Sequence, residues 1–132
     1  MSKMFAIVAL VALMVWLPSA WGQGAKFIEI SVADNGAGGN ALFNIEPTHE
    51  MFSVYTIRCL DTQGCDATMN ESRAIPGQVI VFVAHSANSV AVNFADTAGL
   101  TELSAGIALG ANDTLTLAYA QDRWVQMSTS NN

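Results

Sequence analysis

Residues 76–94 read Pro76-Gly77-Gln78-Val79-Ile80-Val81-Phe82-Val83-Ala84-His85-Ser86-Ala87-Asn88-Ser89-Val90-Ala91-Val92-Asn93-Phe94. Val79 to Ala84 carries no polar residue on either face, which is how a strand buried on both sides reads. Such a strand is either central in a packed core or covered by a second subunit. Asn88–Phe94 alternates, with Val90, Val92 and Phe94 on one face and Ser89, Ala91 and Asn93 on the other. The two runs predict a hairpin looped at His85-Ser86-Ala87.

The flanking sequence reads as further strands and turns. Phe27–Val32 alternates, with Ile28, Ile30 and Val32 on one face and Phe27, Glu29 and Ser31 on the other. Asp34 to Asn40 is a Gly-rich loop. Ala41–Glu46 is a short strand ended by Pro47, and Met51–Cys59 a longer one, with Asp66–Asn70 as its return. In Asp96–Ala111, Gly99, Gly106 and Gly110 argue against a stable helix. Thr114–Tyr119 and Arg123–Ser128 form a second hairpin around Ala120-Gln121-Asp122. Pairing Tyr119 with Arg123 sets Leu117 against Val125 and Leu115 against Met127. It leaves Trp124 on the opposite face, beside Ala118, Thr116 and Gln126.

These strands recur about every 8–12 residues. They predict one all-β domain, a β-sandwich or jelly-roll-like fold of about eight short antiparallel strands, with a small barrel-like roll as the variant. No internal repeat of fixed period is read, and a solenoid needs about three.

The chain has 132 residues, with 5 Lys plus Arg, 11 Asp plus Glu and a formal charge of −6. So few cations exclude a nucleic-acid footprint and attraction to anionic membranes. With 52% hydrophobic and 12% charged residues, intrinsic disorder is excluded as well. Residues 1–22 have the layout of a signal peptide: Lys3, an apolar run from Met4 to Leu17, then Ala20-Trp21-Gly22. An uncleaved anchor is the rival reading. The expected domain is therefore 23–132, secreted or displayed at the cell surface, with no membrane attachment after cleavage.

Cys59 and Cys65 are the only cysteines and bracket a turn. A disulfide at a hairpin tip is expected, contributing about 2 kcal/mol by loop entropy. Free thiols and a metal pair are the alternatives, although zinc wants four ligands at tighter spacings. No catalytic set emerges. His85 and Ser86 are neighbours on a loop and point apart, Asp96 lies far along the chain, and His49 reads as a loop residue. Asp61, Asp66 and Glu71 read as solvated turn acids. Asp34, Asn35 and Asn40 match no calcium-loop spacing. No metal or cofactor is expected. Asn70-Glu71-Ser72 and Asn112-Asp113-Thr114 are N-glycosylation sequons at turns.

The C-terminal segment, from Pro76-Gly77-Gln78-Val79 through Asn112-Asp113-Thr114-Leu115-Thr116-Leu117-Ala118-Tyr119 to Asp122-Arg123-Trp124-Val125-Gln126-Met127 and the Ser/Asn end, resembles a β-module of phage tail-fibre, baseplate and virion-surface proteins. The resemblance covers under half of the chain. It implies a non-enzymatic β-module, often trimeric, used in fibres or surface attachment, and it carries no catalytic residues. The signal-peptide layout departs from that family.

The expectation is thus a secreted, non-enzymatic structural β-subunit that assembles with copies of itself into an oligomer or filament, with exchange of the N-terminal strand as one route. The alternative is a monomeric carbohydrate-binding or adhesion module that meets surface glycans through exposed Trp124 and Tyr55 or Tyr119. Candidate interface or ligand residues are Trp124, Phe27, Ile28, Ile30, Val32, Val79, Val81 and Val83.

Overall fold

The computed structural model describes residues 25–132; the signal-peptide reading of 1–22 lies outside them. Ten strands and no helix are found among the described residues: β1 Ala25–Val32, β2 Ala41–Ile45, β3 Phe52–Cys59, β4 Cys65–Met69, β5 Val79–Ala84, β6 Val92–Phe94, β7 Thr101–Glu102, β8 Ile107–Leu109, β9 Thr114–Ala120 and β10 Arg123–Ser130. They form a six-stranded sheet, in the order β1-β3-β5-β9-β10-β7, and a four-stranded sheet, in the order β2-β4-β6-β8.

The chain reaches these sheets by coiling. β1, β3 and β5 lie in the large sheet and alternate along the sequence with β2, β4 and β6 in the small one. Strands of the same sheet stack in parallel: Ala25 pairs with Phe52 and Phe52 with Val79, so each partner lies 27 residues further on. In the small sheet Ala41 pairs with Cys65 and Cys65 with Val92, offsets of 24 and 27. This is a three-rung β-solenoid. It replaces the expected sandwich or jelly roll, and five of the eight strand pairings are parallel. The repeat that the sequence did not display is a backbone repeat.

After the third rung the direction reverses. β8 runs antiparallel to β6, and β9 antiparallel to β5. β10 then folds back on β9, and β7 adds a two-residue pairing beyond it. The coil is closed at this end.

Stacked rows of inward side chains fill the interior. In the large sheet Ile28, Tyr55, Phe82 and Leu115 share a row, and so do Ser53, Ile80 and Leu117, with Lys26 exposed at the free end of that row. Phe82 meets Tyr55 at 5.6 Å between ring centres and Phe94 of the small sheet at 5.0 Å. The row through Tyr55 and Phe82 therefore faces the row of Phe43, Ala67, Phe94 and Ile107. The Tyr55 hydroxyl donates to the Glu46 carbonyl at 2.7 Å, and burial pushes its pKa up.

Two local expectations change. Residues 79–94 are not a hairpin: β5 and β6 belong to different sheets, and His85-Ser86-Ala87 begins the corner between them. Likewise β4 does not return along β3, and the Cys59–Cys65 disulfide staples a corner rather than a hairpin tip. The β9–β10 hairpin does form, with a two-residue turn. Gln121 and Asp122 both take positive φ, and Arg123 pairs with Ala120. That is one residue away from the expected register, and a one-residue slip turns every side chain to the other face. Trp124 consequently pairs with Tyr119 and lies inside.

Candidate functional site

Three surfaces can be built from these elements: the corner stack, the outer side of the small sheet, and the outer side and free end of the large sheet.

The corner stack joins the ends of β1, β3 and β5 to the starts of β2, β4 and β6. Asp61 is its hub. Its carboxylate accepts from the N–H groups of Gln63 at 2.8 Å, Asn35 at 3.2 Å and Gly64 at 3.2 Å, binding the first corner to the second. These bonds, led by that from Gln63, hold its carboxyl below the usual carboxylate range against the opposing effect of burial. Gly64 adopts φ 143°, and a Cβ there would meet Asn40 Oδ1 at 3.1 Å and the Ala91 carbonyl at 3.2 Å. Asn88 binds the third corner to the second: its Oδ1 accepts from Cys59 N–H at 2.9 Å and its Nδ2 donates to the Ile57 carbonyl at 3.0 Å.

A depressed carboxyl pKa contributes stability that is present above its unfolded value, about 3.9, and is lost as pH falls through the folded value. Asp61 is thus expected to support the fold at neutral pH and to lose that effect progressively as pH falls below about 4. Urea unfolding of the wild type and Asp61→Asn between pH 7 and pH 3 checks this: the difference in midpoint should shrink on acidification. A constant difference would refute it.

On the outer side of the small sheet, Asp66 Oδ1 accepts from Asn40 Nδ2 at 2.8 Å and Asn93 Nδ2 at 2.9 Å. Beside them runs an open groove of about 370 Å3 lined by Asp66, Thr68, Asn93, Ala95, Gly106 and Ala108, among others. Its only carboxylate is already engaged by the two asparagines.

The outer side of the large sheet carries an apolar patch. Register puts Ala25, Phe52, Val79 and Ala118 in one row and Phe27, Val54, Val81 and Thr116 in the next, with Val83 in the row beyond between Thr56 and Thr114. Val54, Val79, Val81 and Val83 are half-buried by their neighbours, and Phe52 is exposed. No second layer covers this side among the described residues. At the end of the sheet Phe27 is 77% exposed, and at the matching end of the small sheet Leu42 is 80% exposed.

The residues singled out from sequence thus separate. Phe27, Val79, Val81 and Val83 share the outer side of the large sheet. Ile28, Ile30 and Val32 point inward; Ile28 and Ile30 are half-buried where the core meets the free end, and Val32 is buried. Trp124 is fully buried against Tyr119, with ring centres 5.1 Å apart, and its Nε1 donates to the Asn70 carbonyl at 3.4 Å. Tyr55 and Tyr119 are buried too, so none of the three aromatics offers a stacking surface.

His85 accepts from Ala87 N–H through Nδ1, and Asp96 accepts from the Thr101 hydroxyl and Leu103 N–H. They stand at opposite ends of β6. Among the described residues no group of three His, Cys, Asp or Glu is placed to hold a metal, and no helix is long and apolar enough to cross a membrane. The asparagines of both sequons fall outside strands: Asn70 follows β4, and Asn112, at φ 68°, lies two residues before β9. The closed Cys59–Cys65 disulfide is compatible with an extracellular protein.

Gln78, Asn88, Asp61 and Asp66 were not singled out as structural clamps from sequence. Asp61 and Gln78 sit beside turns, and Asp66 and Asn88 head runs read as strands, positions where a polar side chain reads as solvated.

Comparison with protein-family models, with curated proteins and with solved structures returns no match. The class defined by the fold is a short β-solenoid.

Proposed function

We propose that this chain is a secreted, non-enzymatic structural β-subunit that works by associating with copies of itself. The observation that carries the reading is the apolar outer side of the large sheet, where Phe27, Phe52, Val54, Val79, Val81 and Val83 lie without a covering layer. Large contiguous apolar patches on secreted proteins mark association surfaces. The resemblance of the C-terminal segment to virion-surface β-modules points the same way. Exchange of β1 between copies is less favoured than contact through its free edge, because β1 pairs with its own β3 at all eight positions.

The glycan-binding alternative loses the aromatics it relied on, since Trp124, Tyr55 and Tyr119 lie in the core.

Light scattering coupled to size exclusion on the secreted protein tests the proposal. A species heavier than one chain at micromolar concentration is expected. A single-chain mass at every concentration would overturn the reading.

A further inference from the structure

We infer that the partner is a second copy bound head to head: β1 against the partner's β1 and β2 against the partner's β2, antiparallel, about one two-fold axis. This rests on the self-association reading, but places the contact at the free end of the coil, where exposed Phe27 borders the apolar outer side, instead of across that side.

The two ends of the coil are unequal. At the N-terminal end the large sheet stops at β1, eight residues paired with β3 without a bulge, and the small sheet stops at β2, five residues. Among the described residues each has a free edge of backbone donors and acceptors, which is a template for another strand. The core is open there, since Ile28, Ile30 and Phe43 are only partly buried, and Phe27 and Leu42 stand exposed beside them. At the other end the edge strands are two and three residues long. β10 shifts register between Gln126 and Ser128, and Ser104 donates to Gln126 Oε1 from both N–H and hydroxyl. Short edge strands and bulges are how sheets refuse a further strand. A head-to-tail filament would need this end to accept β1, so the contact that remains joins two N-terminal ends and closes on itself.

Strand length and charge select the register. β1 on β1 can pair seven residues with faces kept in register and β2 on β2 five, whereas β1 on β2 pairs at most five. To keep inner faces continuous, antiparallel β1 strands must centre on a residue, and the two centres with most overlap are Ile28 and Glu29. A Glu29 centre sets like carboxylates opposite each other, which is unfavourable. An Ile28 centre extends the inner row of Ile28, Tyr55 and Phe82 into the partner. The corresponding centre of β2 is Phe43. Its row faces the Ile28 row across the core, as the 5.0 Å contact of Phe82 with Phe94 shows. One axis therefore serves both sheets.

Sedimentation of the full secreted protein, with variants, is the test. The wild type should be a dimer. Phe27→Glu, which would face Glu29 of the partner subunit in this register, and Leu42→Lys change exposed side chains and should weaken dimerisation at least tenfold with an unchanged circular dichroism spectrum. Ile28→Cys, on the axis, should form an intersubunit disulfide on oxidation, because directly opposed Cα atoms lie about 4.5–5.5 Å apart. Fibres in place of dimers would overturn the head-to-head contact, and a dimer that Ile28→Cys fails to cross-link would overturn its register. An oligomer insensitive to Phe27→Glu and Leu42→Lys but broken by Val81→Lys would overturn this inference and leave self-association standing. A monomer at all concentrations would overturn both.

Discussion

Replacing Trp124 with alanine is expected to destabilise the protein by about 3–5 kcal/mol, the range for truncating a fully buried large aromatic. Trp124 is the largest fully buried side chain, and it ties the C-terminal hairpin to the second rung. Its ring packs on Tyr119, its indole N–H reaches the Asn70 carbonyl just past β4, and its own N–H donates to the Leu100 carbonyl before β7. Truncation opens a cavity between the closing strands and the second rung, and it leaves the Asn70 carbonyl without its donor. Equilibrium urea unfolding of the monomeric form measures the loss. Trp124→Phe, which keeps most of the ring area but loses the N–H, should cost markedly less. A loss below about 1 kcal/mol for the alanine variant would mean that the hairpin holds without this anchor.

The second large effect is expected at Gln78, a polar residue with no exposed surface. Its Nε2 donates to the carbonyls of Thr48 at 2.8 Å and Glu50 at 2.9 Å, and its Oε1 accepts from Ile75 N–H at 3.1 Å. Thr48 and Glu50 belong to the turn between rungs one and two, and Ile75 to the turn between rungs two and three. One amide thus spans two consecutive turns. Gln78→Leu keeps the bulk and removes all three bonds, leaving three backbone groups with poor access to water. A cost of about 2–4 kcal/mol follows from the penalty for orphaned buried groups. Gln78→Glu tests the cause separately, since a carboxylate cannot donate to the two carbonyls: it should be at least as damaging at neutral pH. Similar stabilities for wild type and Gln78→Leu would refute the clamp.

Most strands were legible in the sequence because alternation is local. Val79–Ala84 was read with its observed bounds, and β1, β2, β3, β9 and β10 within two residues at each end. Their partners were not legible. In a parallel stack, the residues that touch are 27 apart, and nothing requires them to be alike. One inner row runs Ile28, Tyr55, Phe82 and another Lys26, Ser53, Ile80; each row fits together by volume, with no repeated letter. Corner residues compound this, since Asp61-Thr62-Gln63-Gly64 and His85-Ser86-Ala87 have the composition of hairpin loops.

Trp124 shows how one turn decides a candidate site. A two-residue turn with both φ positive normally uses Asn-Gly or Asp-Gly. Here it is Gln121-Asp122, without glycine, so the sequence favours a longer loop and the opposite face. The apolar outer side of β5 was legible. Val79–Ala84 reads as apolar on both faces, and in the structure Ile80, Phe82 and Ala84 face the core while Val79, Val81 and Val83 face out.

The constant 27-residue step of the large sheet also bears on how such a chain changes length over generations. In strand pairing each rung meets only the rungs above and below, and the closing strands β8 and β9 pair with the last one in each sheet. A tandem duplication in frame with that step would slide one more layer into the stack and lengthen it by the strand spacing, about 4.8 Å. Neither terminus would need redesign. Size in such a molecule is a copy number, open to selection by unequal recombination rather than by refashioning a core.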